Sequence, residues 1–548
     1  MSIRVHLWFQ AVLVLLLLTA GSIRADDKAD IKEIDDLKSD PFKQYEREDK
    51  MRALARSGSA EAANKLIELL ADDYVHIRDA ASDILIEMKG DAIITCLIKA
   101  LAHKSADVRW RAADVLGYRQ AATAVKDLAD KLKGDKEVAV REACARALGY
   151  IGNEEAKKAL IAALAQGGAP AGAAARMLGV LRATEATNSI DKLLKDKDWQ
   201  AVVGALDGLG DLSPDLNVKS IAKCQANKDW RVRIATAQSL ARVSTTEGVA
   251  EARAAFALLL KDNDWRVRRR TIEAVIFWWQ PDSVELLIET LSTEKSALVH
   301  DLVHGLEDLS GERKGYRAEG WKTWWESSAK TLVKKPRQTF QGWLRAPEKG
   351  RLAESGGGET TTFFDVPVLK QNAAFAVDLS GSMRNPLSQN DSRIPIELAR
   401  EELKRTLAAM PQGSMFNVCA YRYSSKFPPE TEWLRAFKDG VRDINDANIK
   451  AGNEWLAKLE VKGWGAFYEA LTMCTDDPKV QAIYFLSDGA PSRGAYVRRE
   501  NLLAALRKAM RFCPVTINTV TISTKGRDIE FMEDIAKEGG GVCAKVLK

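Results

Sequence analysis

The chain has 548 residues, 46% of them hydrophobic and 29% charged, with a formal net charge of +5. That length exceeds what one core can organise and implies two or three domains. The near balance of 81 basic against 76 acidic residues makes no bulk-charge case for nucleic-acid binding. The cysteines, Cys96, Cys144, Cys224, Cys419, Cys474, Cys513 and Cys543, are sparse, odd in number and without CxxC spacing. This argues against zinc and against a disulfide framework.

Residues 1–25 stand apart. Arg4 and His6 precede the apolar run AVLVLLLLTA, and the small residues Ala20, Gly21 and Ala25 follow. The run is shorter than the roughly 20 apolar residues that span a bilayer. It reads as a secretory signal peptide cleaved near Ala25, with an uncleaved anchor as the alternative. Removing it takes away Arg4 and Arg24 and no acid, so the mature chain is closer still to neutral. The expectation is an exported protein (periplasmic, cell-surface or secreted) with no membrane span after cleavage. A polar segment, 26–44, leads into the first domain.

From residue 45 to 312 the chain repeats itself, most plainly in VRWRAADVLG, VREACARALG and VRIATAQSLA. The frame is anchored by Arg78, Arg109, Arg141, Arg233 and Arg268, with Ala171, Val202 and Val299 where the arginine is lost. Seven residues after each anchor stands Leu85, Leu116, Leu148, Leu178, Leu209, Leu240, Val275 or Leu306. An apolar residue at i+7 lies on the core face of a helix. Helix pairs of this kind bury their apolar faces only by stacking. The pattern resembles the short HEAT-like repeats named from phycobilisome lyases, which implies an all-α solenoid over 45–329.

Within it, DWQAVV, DWRVRI and DWRVRRR set Trp199, Trp230 and Trp265 at equivalent turns beside clustered arginines. Arg266, Arg268, Arg269 and Arg270 are the candidate patch for a polyanion or an acidic peptide. The competing reading pairs the turn aspartates with arginines of adjacent repeats and uses the tryptophans to cover repeat junctions. It accounts better for the structural period. GYRAEGWKTWWES, with Trp321, Trp324 and Trp325, reads as the cap that a terminal repeat needs. Residues 330–371, basic, irregular and containing SGGG, read as a linker.

From residue 372 to 548 strands alternate with helices: AAFAVDLS, then IPIELAREELKRTLAAM, then MFNVCAYR. AIYFLSDG, a helix over 497–510, VTINTVTI, the helix DIEFMEDIAK and GVCAKVL follow. Such alternation gives a mostly parallel, doubly wound sheet with ligands at the carboxyl ends of its strands. DLSGS and LSDG both sit at such ends. Oxygen side chains at Asp378, Ser380 and Ser382 suit a hard cation.

These residues, with AFAVDLSGSM, GWGAFYEAL, AIYFLSDGAPS and FMEDIAKEGGG, resemble a von Willebrand factor type A (integrin I-like) domain. The resemblance implies a metal-ion-dependent adhesion site built from Asp378, Ser380, Ser382 and Asp488. It also implies Mg²⁺ as the cation, with Mn²⁺ or Ca²⁺ left open. Gly465 stands where the family carries a threonine. Either water completes a weak site, or the site is degenerate and the domain meets its partner without metal. A third reading makes Ser380 and Ser382 simple loop caps. No GxSxG, HExxH or GxxxxGK[ST] occurs.

The expected function is therefore that of an exported, non-enzymatic binding or scaffold protein, its partner offering an acidic residue to the metal site. The alternatives are a lyase-like enzyme or accessory of the HEAT-repeat type, and a nucleic-acid-binding solenoid. No reactive cluster supports the first, and export argues against the second.

Overall fold

The computed structural model describes residues 25–40, 43–90, 92–328, 330, 332, 361–368, 371–387, 391–423, 431–523 and 525–546. The leader read from residues 1–25, apart from Ala25, and most of the 330–371 linker lie outside the described residues. The chain divides into two compact units between Gly208 and Leu209.

The first unit is helical throughout its described length. Its opening helix, Ala25–Asp36, packs on the helix Gln44–Ala55. The segment read as a polar lead-in therefore carries a helix, and its Ile34 is fully buried. Paired helices follow, among them Val75–Glu87, Ala106–Tyr118, Val138–Ile151 and Gly168–Val180. Side-chain oxygens start several of them: Ser59 accepts from the Ala62 N–H and Asn153 from the Ala156 N–H, satisfying donors that a helix start leaves open.

All eight i+7 residues, from Leu85 to Leu306, are completely buried. The anchor arginines explain the rest of the period. Arg78, Arg109, Arg141, Arg233 and Arg268 each donate to the carbonyl six residues before them. Arg109 also pairs with Asp135 at 2.8 Å, Arg233 with Asp262 at 2.6 Å and Arg268 with Glu294 at 3.2 Å, each time reaching the next turn. Burial pushes the Asp135 carboxyl up, but the Arg109 guanidinium and the Glu137 N–H outweigh it and hold it below its ordinary value. Turn aspartates thus pair with arginines across repeats, as the period suggested. Where the anchor is lost, at Ala171 and Val202, backbones approach closely instead. A Cβ on Gly204 would stand 2.1 Å from the Gly172 carbonyl oxygen, so only glycine fits there.

The second unit begins with further paired helices, including Trp230–Leu240, Thr246–Leu259, Trp265–Trp278, Pro281–Leu291 and Leu298–Ser310. The helix Ala318–Ser327 ends the series. Trp321 and Trp325 on it are buried, and the Trp321 indole donates to the Gly315 carbonyl at 2.7 Å, as a cap requires.

The α/β part of this unit contains β1 (Thr362–Phe363), β2 (Val366–Pro367), β3 (Ala373–Asp378), β4 (Met415–Tyr423), β5 (Thr431–Arg435), β6 (Arg442–Asp443), β7 (Ala482–Ser487), β8 (Thr516–Thr521) and β9 (Gly540–Lys545). The sheet runs β5-β4-β3-β7-β8-β9, with β6 also on β4. β3, β4, β7, β8 and β9 are parallel, while β5 and β6 pair antiparallel to β4. Helices cover both faces through two apolar clusters, one around Phe375 and Tyr484, the other around Phe467 and Phe485. That accounts for the continuous burial of β3 and β7. The small β1–β2 hairpin falls inside the stretch read as linker. Phe363 and Val366 nonetheless join the first cluster, so ordered packing begins before residue 372. All seven cysteines are free thiols. Among the described residues no helix is long and apolar enough to cross a membrane.

Candidate functional site

The chain leaves β3 toward β4 on one side of the sheet and returns through β7 on the other, which opens a crevice at the carboxyl ends of these strands. A pocket of about 200 Å³ lies there, lined by Asp378, Ser380, Ser382, Gly463, Trp464, Gly465, Ser487, Asp488, Gly489, Ala490 and Ser492. All four residues named from the sequence as metal ligands, and Gly465, thus meet at one place.

Asp378 closes β3 and is 1% exposed. Its Oδ1 accepts the Ser380 N–H at 2.7 Å, and its Oδ2 accepts the Ser487 hydroxyl at 2.7 Å. Ser380 Oγ and Ser382 Oγ lie 3.1 Å apart, and the Ser382 hydroxyl donates to Asp488 Oδ1 at 2.9 Å. The next loop is stitched to this one by backbone: the Lys462 N–H donates to the Leu379 carbonyl at 2.8 Å and the Gly381 N–H to the Gly463 carbonyl at 3.0 Å. This stitching holds Gly465 beside Asp378. A Cβ built on Gly465 would stand 3.6 Å from Asp378 Oδ2 and 3.5 Å from the Phe467 ring, both ordinary contacts. Gly465 is not in the left-handed region, so neither space nor backbone demands glycine there.

Burial, and then the neighbouring Asp488, push the Asp378 carboxyl up to about 6. Asp488 is raised as well: burial dominates, the Ser382 hydroxyl partly offsets it, and Asp528 adds to it. Two buried carboxylates, each raised above its ordinary value, make a place where positive charge is favoured. The donor set fits a hard divalent cation: Asp378 and Asp488 carboxylates with Ser380 and Ser382 hydroxyls, in a pocket with room for water. Neither histidine nor cysteine lines it. Among the described residues no group of three or more His, Cys, Asp or Glu could hold a metal ion, so a cation here would depend on hydroxyl and water oxygens beside two carboxylates. Ser380 makes no side-chain cap bond to the short helix Gly381–Arg384 that follows it; its hydroxyl meets that of Ser382, which donates to Asp488.

Sequence reasoning missed three contributors. Ser487, inside the quoted LSDG, fixes Asp378 from the neighbouring strand. Trp464, inside GWGAFYEAL, lines the pocket with the Arg493 guanidinium 5.1 Å from its ring centre. Asp528 acts from the start of the helix Gly526–Glu538, where the Ser523 hydroxyl donates to it at 3.1 Å. Its effect on Asp488 crosses 40 residues, and no local pattern marks it.

The four arginines of the candidate patch all have partners within the chain. Arg266 pairs with Asp264 at 2.6 Å and stacks on Trp230; Arg268 serves its repeat as described. Arg269 donates to the Pro514 carbonyl at 2.5 Å and to Thr516 Oγ1 at 3.2 Å. Arg270, 6% exposed, donates to the Arg511 carbonyl at 3.0 Å and to that of Met510. The last two guanidiniums therefore face the chain's own α/β domain, because its carbonyls lie where an outside ligand would have to sit. Trp265 and Trp230 also reach that domain, through Pro478 and Phe512, while Trp230 keeps its junction contact with Arg266 of the next repeat. Asp477 accepts the Val441 N–H and Glu402 the Phe364 N–H, both at 2.7 Å.

Residues 94–171 match the family model for HEAT repeats. Over 106 residues the chain is 32% identical to von Willebrand factor A domain-containing protein 5A of Mus musculus, a match covering 17% of this chain and 13% of that protein's length. Among solved structures, the complex of CpcE and CpcF of phycocyanin lyase from Nostoc is 22% identical, covering 39% of this chain and 86% of that one, with a TM-score of 0.28. A von Willebrand factor type A structure from Catenulispora acidiphila is 17% identical, covering 33% of this chain and 40% of that one, with a TM-score of 0.27. The HEAT-repeat match falls within the helical part, and the C-terminal part is an α/β domain with a mostly parallel sheet.

Proposed function

We propose that this chain is an exported scaffold whose α/β domain holds a hard divalent cation, Mg²⁺ first, and through it an acidic residue of a protein partner. The observation that supports this reading is the meeting of Asp378, Ser380, Ser382 and Asp488 oxygens in one open pocket. Bound there, the cation would supply an electrophilic position for a carboxylate. The chain's own residues do the rest. Asp378 and Asp488 furnish charge, Ser487 and the Ser380 N–H orient Asp378, and the stitched loops keep the donors from drifting.

The repeats provide the second interaction surface of the scaffold. The non-enzymatic reading rests on the lack of a nucleophile, base and orienting group in any motif of the sequence. Export rests on the leader pattern of residues 1–25, and N-terminal sequencing of the native protein tests it: an intact Met1 would overturn it.

The binding reading is tested by calorimetric titration of a glutamate-containing peptide into the full chain, once with Mg²⁺ and once with EDTA. Binding that requires Mg²⁺ and disappears in Asp488→Ala supports it. Equal binding with and without Mg²⁺ would instead make DLSGS a capped loop and the contact metal-free.

A further inference from the structure

We infer that the arginine face of the helix Trp265–Trp278 is an internal docking surface for the carbonyl ends of the α/β domain, and that it makes the terminal repeats and that domain one cooperatively unfolding body. The chemistry of the two sides matches. The last carbonyls of a helix have no intrahelical donor and carry the negative end of its dipole. Arg270 donates to Met510 and Arg511, at the end of the helix Arg499–Met510. Arg269 takes the Pro514 carbonyl and the Thr516 hydroxyl, and the Trp265 indole donates to the Pro478 carbonyl at 2.7 Å.

The contact is reciprocal and spans two repeats. Arg511 donates back to Gln238 Oε1 at 3.0 Å, and Phe512 meets Trp230 edge-on at 6.3 Å between ring centres. A polyanion would also have to displace Asp301 from Arg269 and Glu273 from Arg270, at 3.3 and 2.6 Å. Pulling the domain away would cost Arg270 both carbonyl partners and leave it only Glu273 among the partners named here.

The location has a functional consequence. Pro478 precedes β7, and Pro514 precedes β8, so docking uses the amino ends of the parallel strands. Asp378 and Asp488 stand at the opposite, carboxyl ends. A docked domain therefore keeps its pocket open to a partner while being carried on the repeats, where the linker alone would leave it tethered.

Hydrogen exchange by mass spectrometry across a urea series on the full chain decides this, without any cation. In the wild type, peptides from 230–278 and from 499–521 should lose protection at the same urea concentration. Arg269→Ala/Arg270→Ala should separate the two midpoints. Arg511→Ala should do the same from the other side of the contact, which guards against a repeat helix that simply fails to fold. Arg268→Ala, which loses the same charge from the same helix but bonds, among the described residues, to Asp262, Asn263 and Glu294 of the repeats, should leave them coincident. Separate midpoints in the wild type would overturn the inference, as would coincident midpoints in both interface variants.

Discussion

Ser487 donates its hydroxyl to Asp378 Oδ2 across 2.7 Å, joining the carboxyl end of β7 to that of β3. The bond orients a carboxylate that burial has lifted to about 6. In the cation-free protein, ionised Asp378 therefore costs stability. Its folded value lies above the ordinary 3.8, so the folded state holds this proton over a pH range where the unfolded chain has released it. Stability from this group is full below the ordinary 3.8 and is lost as pH rises through about 6. The cost at pH 7 is about 2–3 kcal/mol.

Asp378→Asn should thus melt higher than the wild type in EDTA at pH 7, with the difference closing toward pH 4. Thermal melts of both proteins across that range check it. A variant less stable than the wild type at pH 7 would show that the carboxylate is held favourably without a cation.

Leu148 is fully buried between paired helices of the first unit. Truncating it to alanine leaves a cavity worth roughly 2–5 kcal/mol. Urea unfolding followed through exchange of peptides from 125–165 should show that loss. An unchanged midpoint would mean that the repeat register places this residue wrongly.

Gly465→Thr should tighten Mg²⁺ binding by a small factor, because a hydroxyl then replaces a water of similar strength and mainly saves its ordering. The available space beside Asp378 Oδ2 and the ordinary backbone conformation at this position predict no loss in melting temperature. Calorimetry on the variant checks the first point and a melt the second. A marked drop in melting temperature would mean that the pocket cannot take the side chain.

Arg269→Ala/Arg270→Ala should leave affinity for duplex DNA unchanged at low salt, since both guanidiniums already serve the α/β domain. Fluorescence anisotropy over a salt series is the measurement. A steep salt dependence that the variant loses would restore the nucleic-acid reading.

Much of this organisation was legible in the sequence because it repeats or alternates. The i+7 leucines follow from helix geometry, and their burial needed no knowledge of what they pack against. The strand ends at Asp378 and Asp488 were visible because apolar runs stop at oxygen-bearing residues. Legibility failed where meaning depends on distant partners. Arg269 and Arg270 look like an open basic patch until Pro514 and Met510 are seen opposite them, more than 200 residues away. Short edge strands such as β6, and the β1–β2 hairpin inside a stretch read as linker, carry too few residues to show a period. From the sequence Gly465 reads only as a lost ligand position. The structure shows room for a side chain there, which sequence alone could not reveal.

The cation site is the centre of this account, and one measurement tests it most directly: isothermal titration of Mg²⁺ into the full chain and into Asp378→Ala at pH 7.5. At that pH Asp378, lifted to about 6, is ionised in the wild type and available to a cation. The wild type should bind one Mg²⁺ saturably and Asp378→Ala none, with Mn²⁺ behaving alike. Identical traces for the two proteins with both ions would contradict it.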